Sequence, residues 1–287
     1  MYPTPIVSTE WLAAHLDDPS LRIVDIRGHV LPATEPPPHY FNHRADYDVS
    51  HLPGAVFIDW VQEITDPGDP RHSQIAKPDR YAAVMSRHGI GPETFVVTYD
   101  DSLGMLAARL WWSLNYYGHT NVAVLDGGWP KWVKEGRPVT ADVPTIAPAT
   151  FAPRPTPALH RSAAQIAAAL DEFKSGATKL LDLRSKDEYD GKASRVERRG
   201  HIPGATSSPR QNYIDVDSGT ILPPDVLREK FAAIGVDKAA PEVVTYCNGG
   251  VSASFGLLAL RLAGFENVAM YDGSWKEWGS DTTKPIE

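Results

Sequence analysis

The chain has 287 residues, 42% apolar and 22% charged, with a formal net charge of -8 and one cysteine. A chain of this length is expected to hold two domains, and its acidic balance offers no broad surface to nucleic acid or anionic membrane. The lone cysteine excludes an intramolecular disulfide framework and a cysteine-built zinc cluster. No apolar run approaches the ~20 residues of a membrane span, and MYPTPIVSTEW carries no basic-then-apolar leader, so a reducing cytoplasm is the expected setting.

Taken in chain order, four blocks stand out in the first half: LRIVDIR (21–27), SHLPGAVFIDW (50–60), TFVVTYDDSLGMLAARL (94–110) and NVAVLDGGWPKW (121–132). Each returns, in the same order, as TKLLDLR (178–184), GHIPGATSSPR (200–210), PEVVTYCNGGVSASFGLL (241–258) and NVAMYDGSWKEW (267–278). Ordered self-similarity at this spacing means a duplicated domain. Between the copies, PVTADVPTIAPATFAPRPTPAL (138–159) is rich in Pro and Ala and lacks helix or strand period, so it reads as an extended surface connection. The expected organisation is residues 1–140, a linker over 141–158, and residues 159–287.

In the second half the pattern predicts a helix over 163–174, a strand over 180–183, a short strand or turn near HIPGA, and a helix over about 224–234 opened by Pro-Pro-Asp. A strand EVVTY, a helix over 252–263, a strand over 268–272 and a terminal turn GSWKEWG follow. Strands alternating with helices predict an α/β domain, a parallel sheet covered on both faces. Ligands in such sheets sit beyond the carboxyl ends of the strands. Asp182, Cys247 and Asp272 all fall there.

Cys247 ends an apolar strand and is followed by Asn248, Gly249, Gly250, Val251 and Ser252, where a helix begins. Two glycines let successive N–H groups turn inward as an anion nest, and the helix aims its positive end at the same point. Ser252 and Ser254 can add hydroxyl donors. These features favour a negative sulfur, the form in which cysteine is a nucleophile. The alternative is an inert buried cysteine, packed as a small hydrophobe. The duplication argues against it, because VVTYC aligns with VVTYD and places Asp100 where Cys247 sits. The architecture is kept twice and the nucleophile once, with Asp100 expected to be a satisfied carboxylate.

These blocks resemble the rhodanese family of two-domain sulfurtransferases: His-x-Pro-Gly-Ala in both halves, Asp-Gly-Gly-Trp and Asp-Gly-Ser-Trp, and a cysteine loop in the second half alone. The resemblance implies two α/β domains, each with a five-stranded parallel sheet, and an active site at their interface. It implies that Cys247 accepts a sulfane sulfur as a persulfide and passes it to cyanide, a small thiol or thioredoxin, with no cofactor and no metal. Family members acting on thiosulfate tend to carry basic residues in this loop, whereas those acting on 3-mercaptopyruvate typically read Cys-Gly-Ser-Gly-Val-Thr-Ala. The neutral Cys-Asn-Gly-Gly-Val-Ser-Ala of this chain is closer to the second, so 3-mercaptopyruvate is the favoured donor and Asn248 departs from both. One position that usually holds Arg is Glu188 here. Arg195 lies at the spacing of a second, with Arg198 and Arg199 beside it, and Arg195 and Arg199 are the expected ligands of the donor's acid group. His51 and Trp275 are candidate contacts at the pocket, with His51 and His201 also suited to bracing their Pro-Gly turns. Asp182, Arg184 and Asp272 are expected to support the loop, while Asp25, Arg27 and the remaining tryptophans read as structural.

Rival chemistries fit less well. A cysteine phosphatase needs Arg six residues after the cysteine, and that position is Ala253. A Cys–His hydrolase leaves the repeat and the glycine loop unexplained. His39 and His43 have the spacing of a helical metal pair but follow three prolines, so a surface loop is expected. A persulfide carrier dedicated to a protein acceptor would use the same chemistry at Cys247.

Overall fold

The computed structural model describes residues 4–287. Its strands, in chain order, are β1 (Ile6–Val7), β2 (Leu21–Asp25), β3 (Gly28–Val30), β4 (Tyr40–Asn42), β5 (Val56–Phe57), β6 (Phe95–Tyr99), β7 (Val122–Leu125), β8 (His160–Arg161), β9 (Lys179–Asp182), β10 (Thr206–Ser207), β11 (Val243–Tyr246) and β12 (Val268–Tyr271). They form two five-stranded parallel sheets, ordered β1-β7-β6-β2-β5 and β8-β12-β11-β9-β10, each flanked by helices. The two orders are the same when each strand is matched to its repeat. The α/β duplication read from the sequence is therefore the architecture.

The central strands β6, β7, β11 and β12 are buried almost end to end, which is why VVTY, VAVL and VAMY read as continuous apolar runs. The edge strands β1 and β8 have two residues each, too few to show a period, and were not anticipated. Nor was the antiparallel β3–β4 hairpin, which pairs Val30 with Tyr40. The predicted helix 163–174 is two helices, Ala163–Ala168 and Leu170–Ser175, because Ala169 leaves helical backbone with ψ near 7°. The predicted terminal turn contains a helix, Ser274–Trp278.

The helices that follow β6 and β11, Met105–Tyr116 and Val251–Leu262, are apolar around most of their circumference. Such helices must be covered on every side. They pack on their own sheets and on each other, so Leu106, Leu110, Phe255, Leu257 and Leu258 share one core that crosses between the halves. Two smaller cores lie on the outer sheet faces, one in each half.

The halves are also tied by polar groups at corresponding places. Asp272, after β12, accepts from Arg109 Nη1 at 2.5 Å and from the Ile75 N–H at 2.7 Å; Asp126, after β7, accepts from the Ile221 N–H at 2.9 Å. The connection between the halves carries no helix or strand over 141–156. It is pinned to the first half by Ala149 N–H to Ser86 O, Arg154 N–H to Tyr117 O and the buried Phe151.

Candidate active site

Cys247 leaves β11 at its carboxyl end and is 3% exposed, at the base of a cavity of about 420 Å³. The loop behind it is held from the adjacent strand. Ser274, in left-handed backbone at φ 54°, points its Oγ at the loop, accepting from Cys247 N–H (3.1 Å) and Gly250 N–H (3.2 Å) and donating to Tyr271 O (2.8 Å). Trp275 and Lys276 N–H groups donate to the carbonyls of Cys247 and Asn248. Gly250 has φ +77°, and a Cβ there would overlap Arg109 Nη1 and Asp272 Oδ1. The loop needs glycine at that point for conformation and for space.

This changes one expectation. Of the loop N–H groups from 248 to 252, that of Gly250 is engaged by Ser274. The N–H groups of Asn248, Gly249, Val251 and Ser252 have no acceptor among the described residues. The first half shows what such a loop gathers around an anion. The Asp100 carboxylate accepts from the N–H groups of Ser102 (2.8 Å), Gly104 (2.9 Å), Leu106 (2.7 Å) and Ala107 (2.8 Å). Gly104 opens its helix at φ +76°, as Gly250 does at +77°. Burial raises the Asp100 pKa, and these N–H groups pull against that rise.

The cavity is walled by both halves. The β3–β4 hairpin supplies Val30, Leu31 and Tyr40; the second half supplies Arg184, Glu188, Arg195 and Arg210. Arg195 donates through Nη2 to Leu31 O at 2.5 Å, while its Nε and Nη1 are buried without a hydrogen-bond acceptor among the described residues. Unsatisfied buried charged donors are costly in a folded chain, and an anionic ligand would satisfy them. Lys276 stands 4.2 Å from the centre of the Tyr40 ring and donates to Arg71 O across the domain boundary. Burial, reinforced by the neighbouring Arg195 charge, brings the Lys276 pKa down to about 8, and burial pushes that of Tyr40 up to about 12.

Asp182 and Arg184 form a fully buried pair at 2.6 Å, with Tyr246 O–H donating to the same carboxylate oxygen at 2.6 Å. Arg184 donates on to Gly200 O through Nη2, while its Nη1 is buried without an acceptor among the described residues and the side chain borders the cavity. Asp25, Arg27 and Tyr99 repeat this arrangement in the first half. Glu188 accepts from Asn248 Nδ2 at 2.8 Å and from Ser185, and so ties the loop to the short helix Lys186–Tyr189. Ser252 borders the cavity with its Oγ 3.5 Å from Met105 Sδ.

Three expected contacts lie elsewhere. His51 is fully buried, stacked on Tyr47 at 3.9 Å, with its ring nitrogens on Tyr47 O and Asp142 O; His201 stacks on Tyr189 in the same way. Trp275 is fully buried under the Arg184 guanidinium at 4.5 Å and donates to Ser194 Oγ, as Trp129 lies under Arg27. Arg199 reaches Lys192 O at 3.2 Å and does not line the cavity. Arg198 is bound to Asp281 O and Lys284 O. Asp272 acts from behind Gly250 as an inter-domain tie. His39 and His43 flank strand β4 rather than share a helix; His43 bonds His29 and Asp101. The sequence reading missed Tyr40, Arg210, Ser274 and Lys276. Only Arg210 left a signal, since it replaces Trp60 of the first copy.

The model of the rhodanese-like domain matches residues 8–135 and again 163–281. The chain is 32% identical to the sulfur carrier protein TtuD of Thermus thermophilus, over 99% of this chain and 97% of that one. It is 35% identical to thiosulfate sulfurtransferase of Bos taurus, over 95% and 91%. Among solved structures it is similar to the 3-mercaptopyruvate sulfurtransferase SseA of Escherichia coli, with TM-score 0.82, 28% identity, and coverage of 95% of this chain and 99% of that one.

Proposed function

Because the chain belongs to the rhodanese-like family, with one such domain in each half, we propose that it is a sulfurtransferase that carries sulfur as a persulfide on Cys247. The observation that carries the reading is the position of the thiol. It borders a cavity, in a loop whose Asn248, Gly249, Val251 and Ser252 N–H groups have no acceptor among the described residues, and shares that cavity with Arg195, whose buried Nε and Nη1 have none either.

In the first half-reaction the Cys247 thiolate attacks the outer sulfur of a small anionic donor. A sulfur–sulfur bond forms, and the donor's bond to that sulfur breaks with its electron pair on the leaving group. Arg195 holds the donor's acid group by charge-assisted hydrogen bonds. The N–H groups of Asn248, Gly249, Val251 and Ser252 stabilise the sulfur before and after transfer, and Ser252 is placed to donate toward a carbonyl. In the second half-reaction cyanide or a thiol attacks the outer sulfur and the Cys247 thiolate leaves, giving ping-pong kinetics. The loop itself is neutral, which favours the monoanionic 3-mercaptopyruvate over thiosulfate. The cations outside the loop, Arg195 and Arg210, are the observation in favour of thiosulfate as the second reading. A small thiol or thioredoxin is the proposed acceptor and the cytoplasm the proposed setting; no helix among the described residues is long and apolar enough to cross a membrane.

The test is thiocyanate formation from cyanide with each donor, for the wild type and Cys247→Ser. The expected result is turnover in the wild type, faster with 3-mercaptopyruvate, and none in a folded Cys247→Ser protein. Turnover that survives the substitution would remove Cys247 from the mechanism.

A further inference from the structure

A second guanidinium faces the cavity, and no ion pair among the described residues neutralises it. Arg210 follows β10, borders the cavity, and spends Nη1 on the carbonyls of Leu103 (3.2 Å) and Ser102 (3.5 Å) rather than on a carboxylate. Its guanidinium carbon lies 5.5 Å from the centre of the Phe255 ring. Burial lowers its pKa, and the negative charges of Asp100 and Cys247 oppose that. An arginine stays protonated in such a place. The loop that holds it is the first-half counterpart of the cysteine loop. The Asp100 carboxylate clamps the N–H groups of Ser102 and Gly104, and this fixes the two carbonyls on which Arg210 rests. The repeat of Arg210 in the first half is Trp60, so the charge is present in one copy only, as the thiol is.

We propose that Arg210 is a catalytic residue of sulfur transfer: it contacts the leaving group of the donor and stabilises the negative charge that develops there, while Arg195 binds the donor's acid group. The proposal rests on the sulfurtransferase reading and adds a role to it. With 3-mercaptopyruvate, the Cys247 sulfur bonds to the donor sulfur and the carbon–sulfur bond breaks. Its electron pair makes the enolate of pyruvate, the thiol hydrogen stays on the outer sulfur, and the enolate takes a proton from water to give pyruvate and hydroxide. With thiosulfate, the sulfur–sulfur bond breaks and sulfite leaves with the pair. In both cases charge grows on an oxygen-bearing leaving group, where a preorganised cation lowers the barrier. The first-half loop, with Asp100 in place of the thiol, holds no reacting atom; it holds the arginine that serves one.

Single-turnover persulfide formation is measured with the donor the wild type uses faster, alongside discharge of preformed persulfide to 2-mercaptoethanol, for Arg210→Gln, Arg210→Lys and Arg195→Gln. A charge-assisted contact made in the transition state predicts that Arg210→Gln slows formation by about 10–100-fold. KM should stay within about threefold, discharge should slow clearly less than formation, and the lysine variant should recover part of the rate. Arg195→Gln should raise KM instead. Formation within about twofold of wild type in Arg210→Gln, a rise in KM alone, or equal slowing of discharge would each overturn the proposal. A wild-type protein that forms no persulfide from either donor would fail the sulfurtransferase reading itself.

Discussion

Replacing Ser274 by alanine removes one oxygen and leaves two buried N–H groups without an acceptor. The hydroxyl accepts from Cys247 and Gly250 at 3.1 and 3.2 Å, and the residue is fully buried. An orphaned buried donor costs about 1–3 kcal/mol, so losing the acceptor of two should cost Ser274→Ala about 2–6 kcal/mol of unfolding free energy. The backbone supplies an internal control. Ser274 has φ 54°, a conformation that costs a residue with a Cβ about 1 kcal/mol and glycine little. Ser274→Gly should therefore be about 1 kcal/mol more stable than Ser274→Ala although both lose the same hydrogen bonds. Guanidinium denaturation at constant slope measures both values. Persulfide formation should slow in both variants, because the loop that carries Cys247 loses its brace. A loss below about 0.5 kcal/mol in Ser274→Ala, or an alanine variant as stable as the glycine one, would refute this account of the loop.

Gly250→Ala forces a Cβ into the Arg109–Asp272 pair at left-handed φ, and should cost at least about 3 kcal/mol, the range for disturbing a buried ion pair. Gly136→Ala, also at left-handed φ but with nothing within 4 Å, should cost only about 1 kcal/mol; thermal unfolding of the two variants compares them. For Lys276, burial lowers the pKa from 10.5 to about 8. The folded state thus releases this proton first, and the associated stability is fully present above 10.5 and lost as pH falls through about 8. The span amounts to at most about 3 kcal/mol. Denaturation midpoints of the wild type should rise between pH 8 and 10.5, and Lys276→Met should flatten that rise; an unaltered slope would remove Lys276 as its source.

The duplicated architecture and the position of the thiol were legible in the sequence because both rest on local patterns: apolar runs that end at Cys247 or Asp100, then glycine and a helix. Arg195 was legible too, from its spacing in the family pattern; Tyr40 and Lys276 were not, because they depend on contacts between the halves. Arg71 receives Lys276, and Tyr40 arrives on a hairpin whose strands have three residues each. The misplaced candidates share a different cause. His51 and Trp275 each have a counterpart doing the same work in the other half, His201 stacked on Tyr189 and Trp129 under Arg27. What both copies keep serves the fold; what they do not share, Cys247 against Asp100 and Arg210 against Trp60, is where the proposed chemistry lies. Applied to every aligned pair, that comparison would have demoted His51 and Trp275 and drawn attention to Arg210.

The core that runs through Met105–Tyr116 and Val251–Leu262 makes the chain one cooperative unit. Cutting it near residue 150 would strip each helix of a face that only the other covers and would remove Ile75 and Arg109 from Asp272. Neither fragment could keep its native packing in water. Amide exchange in β11 and in β6 should therefore report a single global opening rather than two. The loop that carries Cys247 thus borrows its rigidity from the half that has no thiol, and selection on sulfur transfer acts on both copies through the stability they hold in common.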